Sequence, residues 1–189
     1  ACATSSTRAF EPDERMDTGG DAGPVGPRWS VARASAGDLP RLAALLAASP
    51  LLRRYGVTHE AALQALERAR GAGDLLLVAG ASGGLAEGLA WVIASPMLAG
   101  AAYLRLLLVA ESAQGSGLGA RLLAAAEGGA RERANHMFLL VTADNAGARR
   151  FYERWGYRHV GDLPEHAVAS IHEALYHKAL RPHGERIPA

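Results

Sequence analysis

The stretch VAESAQGSGLGARLL, residues 109–123, places Gly115, Gly117 and Gly119 between an apolar run and a helix-like pattern. Glycine-rich turns from strand to helix often hold phosphates. The first amides of a helix have no intrahelical acceptor, carry the positive end of the helix dipole, and are reached by an anion most easily where no Cβ intervenes. Three readings compete. A nucleoside-triphosphate loop needs a Lys directly after its last glycine, and none follows here. GSGLGA does fit the dinucleotide pattern G-x-G-x-x-A. Against that, five residues separate Val109 from Gly115, where the dinucleotide fold turns almost at once. The 70 residues after Gly119 also supply one βα unit and a strand pair, too little for that fold. What remains is a pyrophosphate nest of another kind, or a turn whose glycines merely pack a helix on a strand.

Working outward, AAYLRLLLV (101–109) is continuously apolar except for Arg105, which predicts a strand buried on both faces. DLLLVAG (74–80) and GLAEGLAWVIA (84–94) precede it, joined by ASGG, a hairpin signal. After the turn, LGARLLAAAEGGARER predicts a helix with Leu118, Leu122 and Leu123 inward, and MFLLVTA (137–143) a strand parallel to the one before it. NAGARRFYERWG (145–156) is another helix, and YRHVGDL and EALYHKAL close the chain as strands. Upstream, RWSVARAS reads as a first strand. GDLPRLAALLAAS reads as a helix capped by Asp38, and THEAALQALERARG as a helix capped by Thr58 and ended by Gly71. The expected fold is α/β of the α+β type: a mixed, mostly antiparallel sheet of six to seven strands flanked by about four helices.

Residues 1–28 are polar and rich in Gly and Pro, and read as a disordered arm before a single domain over 29–182, with 183–189 a flexible tail. Met16 offers an internal start that would leave residues 1–15 as leader sequence. The formal net charge is +1, which gives no case for nucleic acid or an anionic membrane surface. No apolar run approaches the length of a membrane span. The single cysteine, Cys2, excludes an internal disulfide framework and fits a reducing, cytoplasmic setting. The seven histidines fall in no metal-ligand spacing, so no metal is expected.

Two segments together carry a resemblance. Gln114, Gly117 and Gly119 occupy the positions of Q/R-x-x-G-x-G/A, motif A of the GNAT superfamily of acyl-CoA N-acyltransferases. About 30 residues on, Asn145, Ala148, Phe151, Tyr152, Gly156 and Tyr157 match N-x-x-A-x-x-F-Y-x-x-x-G-F/Y of the same family. The resemblance covers residues 29 to about 180. It implies acetyl-CoA as cosubstrate, with the amides of Gln114, Gly115, Ser116, Gly117, Leu118, Gly119 and Ala120 around the pyrophosphate. It also implies that the backbone of Leu107, Leu108 and Val109 runs along the pantetheine arm. Asn145 either caps its helix, touches the cofactor, or does both.

The implied reaction is direct attack of a primary amine on the thioester in a ternary complex. A Lys-like amine, pKa ~10.4, is a free base only about one time in a thousand at neutral pH, a handicap of roughly 4 kcal/mol, so deprotonation is the larger task. Tyr152 matches the family's tyrosine, cast as general acid for the departing thiolate. Its competing role is core packing, because Ala148, Phe151, Tyr152 and Trp155 form one helical stripe. Many members carry a glutamate on the fourth strand, and AAYLRLLLV has none. Glu87 and Glu173 are the candidate bases, Glu111 is a neighbouring acid, and relay through water is the alternative. Arg149 and Arg150 are candidate phosphate contacts or solvated helix arginines. By the same resemblance the acceptor, a small-molecule or peptide amine, sits between segments 46–59 and 162–173, where Asp162, Glu165 and Glu173 could attract a cation. A homodimer is compatible with the family. A non-catalytic acyl-CoA-binding module of the same fold is the alternative function.

Overall fold

The computed structural model describes residues 29–80, 84–94, 100–166 and 169–181. The expected arm, the tail and most of the ASGG hairpin turn lie outside the described residues. Seven strands form one sheet in the order β1-β2-β3-β4-β5-β7-β6. They are β1 (Ser30–Arg33), β2 (Leu75–Gly80), β3 (Gly88–Ala94), β4 (Ala101–Val109), β5 (His136–Thr142), β6 (Arg158–Leu163) and β7 (Glu173–Ala179). Only β4 and β5 run parallel; the other neighbours are antiparallel. The last strand does not extend the sheet but inserts between β5 and β6.

Five helices cover the sheet: α1 (Leu39–Ala48), α2 (Pro50–Arg53), α3 (His59–Gly71), α4 (Leu118–Ala130) and α5 (Ala146–Arg154). One core joins α4 and α5 to the face carrying Leu77, Ala90, Leu104, Met137, Leu139 and Tyr176. The other joins α1 and α3 to Leu76, Val78, Leu89 and Trp91. This two-sided cover explains why β2 has no polar alternation, whereas β5 alternates strictly. Gly88 lets α4 sit close, because a Cβ there would lie 2.5 Å from Leu122 Cδ1. Gly88 pairs with Val109, so that contact brings the start of α4 to the end of β4.

Some local expectations are corrected. Asp38 does not cap α1 through its side chain. Instead its carboxylate accepts from Ser35 N at 2.7 Å and from Ser35 Oγ at 2.6 Å, bracing a 3-10 turn that runs into the helix. Thr58 caps α3 as expected, accepting from Ala61 N at 3.2 Å, and the helix ends at Gly71, with Gly73 at φ +80° turning the chain after it. Within LLRRYG the structure has a short helix, α2, started by Pro50 and capped by Ser49.

One irregularity shapes everything downstream. The β3–β4 register shifts between Trp91, opposite Leu106, and Val92, opposite Leu104, so Arg105 is an extra residue, a bulge. Its guanidinium lies 5.0 Å over the Trp91 ring. Pairing of β4 with β5 runs from Ala101↔His136 to Leu104↔Leu139 and stops there, although both strands continue. Beyond Leu104, β4 bonds only to β3, and a wedge opens between Leu106–Val109 on one side and Leu140–Thr142 on the other.

Candidate functional site

The wedge has the glycine turn at its mouth. After Val109 the chain makes a 3-10 turn (Glu111–Ala113), then an extended Gln114, then Gly115 at φ +73° and Gly117 at φ +85°. Both glycines are left-handed, the conformation that L side chains adopt at a cost. Gly117 is the N-cap of α4, with no side chain capping the helix, so the first-turn amides of α4 have no side-chain partner. A Cβ added at Gly115 or Gly117 would meet nothing within 4 Å, so the cradle stands open in front of those amides. This suits a pyrophosphate, whose charge the helix start favours. Leu118 is fully buried and offers only its amide, and Ser116 Oγ donates to Ala113 O. Gly119 faces Val109 and Phe151 at ordinary contact distance, while Ala120 is half-buried in the first turn. Gln114 Nε2 donates to Val109 O at 3.4 Å, tying the turn to the strand end. Half-buried Leu107, Leu108 and Val109 form the β4 wall of the wedge, and the backbone groups on that edge have no ladder partner.

Tyr152 comes from α5. Its ring is 8% exposed and packs edge-on against Phe151 at 5.2 Å and Tyr157 at 5.5 Å. The helical stripe is therefore real, and Tyr152 is a core residue by packing. Its hydroxyl makes no hydrogen bond among the described residues and is not sealed from solvent. Burial, and then the nearby Tyr103, hold its proton well above the ordinary phenol range. Asn145 caps α5, its Oδ1 accepting from Ala148 N at 3.0 Å. Arg149 donates to Tyr176 Oη at 3.0 Å and to Ala143 O at 3.3 Å, which makes it an internal brace of the β5–α5 corner. Arg150 is exposed.

The candidate bases separate. Glu87 lies one residue before β3 rather than on it, and its carbonyl accepts from Ala110 N at 2.8 Å. Glu173 opens β7, paired with Thr142 of β5 and Leu163 of β6. β4 and β5 lie between the two glutamates, and the opening of the wedge between those strands sets them further apart. Glu173 is the one that joins the aromatic cluster. It is 8% exposed, and its Oε2 is sealed from solvent with no hydrogen-bond partner. Tyr103 of β4 lies within electrostatic reach of it: burial first, then the Glu173 charge, raise the Tyr103 phenol above its ordinary range, with Arg105 opposing. Tyr103 is thus within electrostatic reach of both Glu173 and Tyr152. Glu111 is exposed in the 3-10 turn.

On the acceptor side, Tyr55, just after α2, places its hydroxyl 3.4 Å from Thr142 Oγ1, the cross-strand neighbour of Glu173. Arg54 faces Asp144 at 3.9 Å. Segment 46–59 therefore touches the end of β5 through Tyr55. Asp162 accepts from His159 Nε2 at 2.8 Å and Glu165 from Ser170 N at 3.3 Å, so both serve local turns; residues 167 and 168 of this loop lie outside the described residues. Sequence reasoning missed Tyr103, Tyr55 and Thr142. Tyr103 and Arg105 are the only side chains in β4 with polar atoms, which was the available signal. Among the described residues no His, Cys, Asp or Glu cluster could hold a metal, and no helix is long and apolar enough to cross a membrane.

Solved structures share this architecture. A candidate acetyltransferase of the GNAT family from Desulfovibrio desulfuricans is similar at TM-score 0.65, with 24% identity over 81% of this chain and 99% of that one. A candidate acetyltransferase from Salmonella typhimurium, solved with its cofactor acetyl-CoA, is similar at TM-score 0.68, with 18% identity over 84% of this chain and 98% of the other. Ribosomal-protein-alanine N-acetyltransferase from Brucella melitensis is similar at TM-score 0.67, with 23% identity over 79% and 99%. No curated protein sequence matches. The family model described as "Acetyltransferase (GNAT) domain" matches residues 53–171, a span that takes in the wedge, the glycine turn and Tyr152. On that match, the chain belongs to the GNAT acetyltransferases.

Proposed function

We propose that the chain moves an acetyl group from acetyl-CoA to a primary amine by direct attack in a ternary complex. The observation that carries this reading is the wedge, open along the β4 backbone and ending at an uncapped glycine turn. Amides of Gln114 to Ala120 take the pyrophosphate, and the free edge of Leu107, Leu108 and Val109 aligns the thioester arm in the manner of an added strand. An N–H on that edge is also suited to polarise the thioester carbonyl.

Tyr152 donates a proton to the departing thiolate. A phenol held protonated by burial suits an acid and not a base. Glu173 accepts the proton from the amine, a role for which a buried carboxylate with a free oxygen is suited, and Glu87 is too far across the sheet to share it. The acceptor is a small-molecule or peptide amine; the similar Brucella protein is named for a ribosomal-protein alanine, which supports a peptide amine among the candidates. The other reading is a non-catalytic acyl-CoA-binding module.

Acetyl-CoA consumption across a panel of alkylamines, polyamines, amino acids and peptides separates the two. Turnover with one class identifies an enzyme and its acceptor. Stabilisation by coenzyme A with no turnover anywhere identifies a binding module. In the enzyme, Tyr152→Phe lowers kcat about ten-fold or more with the fold intact; an unchanged kcat removes Tyr152 from the chemistry.

A further inference from the structure

Among the described residues, α1 and α3 cover only part of the sheet face they pack on. Met137, Leu139, Ala174 and Tyr176 point into the α4–α5 core. Strand alternation therefore turns Phe138, Leu140 and Leu175 to the opposite side, the side on which α1 and α3 meet β2 and β3. All three are half-buried, and none belongs to either core. Tyr103, Phe138, His177 and Arg158 form one continuous rung across β4, β5, β7 and β6. The result is a floor of half-buried side chains, about 14 Å wide from Tyr103 to Arg158 at three strand spacings. It adjoins the acceptor end of the wedge, where Glu173 pairs with Thr142.

Two cations border that floor. Arg105 is exposed, and the bulge sets its guanidinium 5.0 Å over the Trp91 ring, on the α1–α3 side. Trp91 is itself pinned, because its ring is buried and its Nε1 donates to Asp74 Oδ2 at 2.8 Å. A guanidinium that stacks by its face keeps its N–H edges for another partner. Arg105 makes no hydrogen bond and no ion pair among the described residues. Nor does Arg158, exposed at the far edge beside His177. The one acid that β4, β5, β6 and β7 place on this side is Glu173, since Asp162 pairs with Ala174 and faces the α4–α5 core. The floor thus has a carboxylate at its wedge end and oriented positive charge beside it.

We propose that Arg105 selects the acceptor by pairing with a carboxylate on it, and that the acceptor is a peptide N-terminus with an acidic residue at its second or third position. This rests on the acetyl-transfer reading, and spacing sets the class. Arg105 stands two residues before Leu107, the first residue of the edge that aligns the thioester, about 7 Å along the strand. A free α-amino acid holds its carboxylate beside its nitrogen and does not span that distance. The side chain of the second or third residue of an extended peptide does. The ammonium end is drawn to Glu173, the acidic side chain to Arg105, and the residues that follow lie over Phe138 and Leu140 toward Arg158. The stack on Trp91 fixes the guanidinium before the peptide arrives, so little side-chain freedom is lost on pairing.

The test uses the full chain, acetyl-CoA and C-terminally amidated tetrapeptides, in which a side chain carries the only carboxylate. Ala-Glu-Ala-Ala and Ala-Ala-Glu-Ala are compared with their Gln and Lys counterparts. The wild-type chain should prefer at least one acidic peptide over its Gln counterpart by about ten-fold in kcat/KM, carried by KM. Arg105→Gln should remove that preference while leaving KM for acetyl-CoA and turnover of the Gln peptide unchanged. Arg105→Glu should turn the preference toward the Lys peptide, a reversal that lost packing on Trp91 does not produce. No acidic preference in the wild type, or one that survives Arg105→Gln, overturns the inference and leaves the acetyltransferase standing. Turnover confined to non-peptide amines does the same. A wild-type dimer that Leu140→Glu dissociates would give the floor to a second copy of the chain, which also overturns the inference. A chain that turns over no amine at all overturns the acetyl-transfer reading, and this inference with it.

Discussion

Glu127 and Glu173 are both buried, at 3% and 8% exposure, and their surroundings are opposite. Glu127, on α4, receives Lys178 Nζ at 2.7 and 2.8 Å, with Arg131 at 3.5 Å. Lys178 in turn sits over the rings of Trp155 and Tyr157. Glu173, at the wedge, has an oxygen that nothing satisfies. The first carboxylate joins α4 to β7 and closes the structure. The second is left with one oxygen unsatisfied beside the wedge. Burial alone does not separate a structural acid from a functional one; the count of its partners does.

The largest effect expected from this contrast is on stability. Glu127→Ala leaves Lys178 charged and partly buried with no carboxylate partner, a loss of about 3–5 kcal/mol. Thermal or urea unfolding reads it, and Glu127→Met with Lys178→Met should recover most of it. If Glu127→Ala costs under about 1 kcal/mol, the α4–β7 pair is not what closes that region. Next comes Glu173→Gln, which should lower kcat/KM about a hundred-fold while leaving stability unchanged or raised, because a neutral amide is less costly to bury than an unpaired carboxylate. A Glu173→Gln chain that is folded but clearly less stable, and keeps the wild-type kcat, would reverse the assignment of the two glutamates.

The same contrast shows what could be read in the chain. The β4 boundaries, the glycine turn and both family segments were legible, because a strand buried on both faces and a left-handed turn leave direct marks in composition. GLAEGLAWVIA is apolar apart from Glu87 itself, so it reads as a single strand that includes Glu87. The structure starts pairing only at Gly88 and leaves Leu85 83% exposed. The apex of the wedge was not legible. Its residues, Tyr103, Thr142, Tyr152 and Glu173, lie on four elements, and what relates them is that β7 inserts beside β5 and that the β4–β5 pairing ends at Leu104. Nothing local in the sequence encodes either event.

The donor end supplies a smaller effect that sharpens the comparison from the backbone side. Gly117→Ala forces a Cβ onto φ +85°, which costs about 1 kcal/mol of stability. The Cβ also enters the open cradle, so KM for acetyl-CoA should rise by about ten-fold while KM for the amine is unchanged. Gly119→Ala is the control: its φ is helical and its Cβ meets only ordinary contacts within the chain, so a rise in KM there reports the ligand and not the fold. Equal KM values in wild type and both variants would place the pyrophosphate elsewhere.

Asp38 is a third kind of carboxylate, satisfied but near the surface, with its side chain 19% exposed. Hydrogen bonds from the Ser35 hydroxyl and backbone, then from Arg41, hold its pKa at about 2. Because the folded value lies below the ordinary one of 3.8, this carboxylate stabilises the fold fully above that pH, and the stabilisation is lost as pH falls through about 2. Asp38→Asn should therefore cost about 1 kcal/mol at neutral pH, and its gap from wild type should close between pH 4 and pH 2. The kcat should not move, since Asp38 lies at the start of α1, away from the wedge. A gap that stays constant down to pH 2 would mean that packing, and not the charge-dependent bonds, explains the residue. That outcome would leave Glu127 as the one carboxylate of the three whose charge holds the fold.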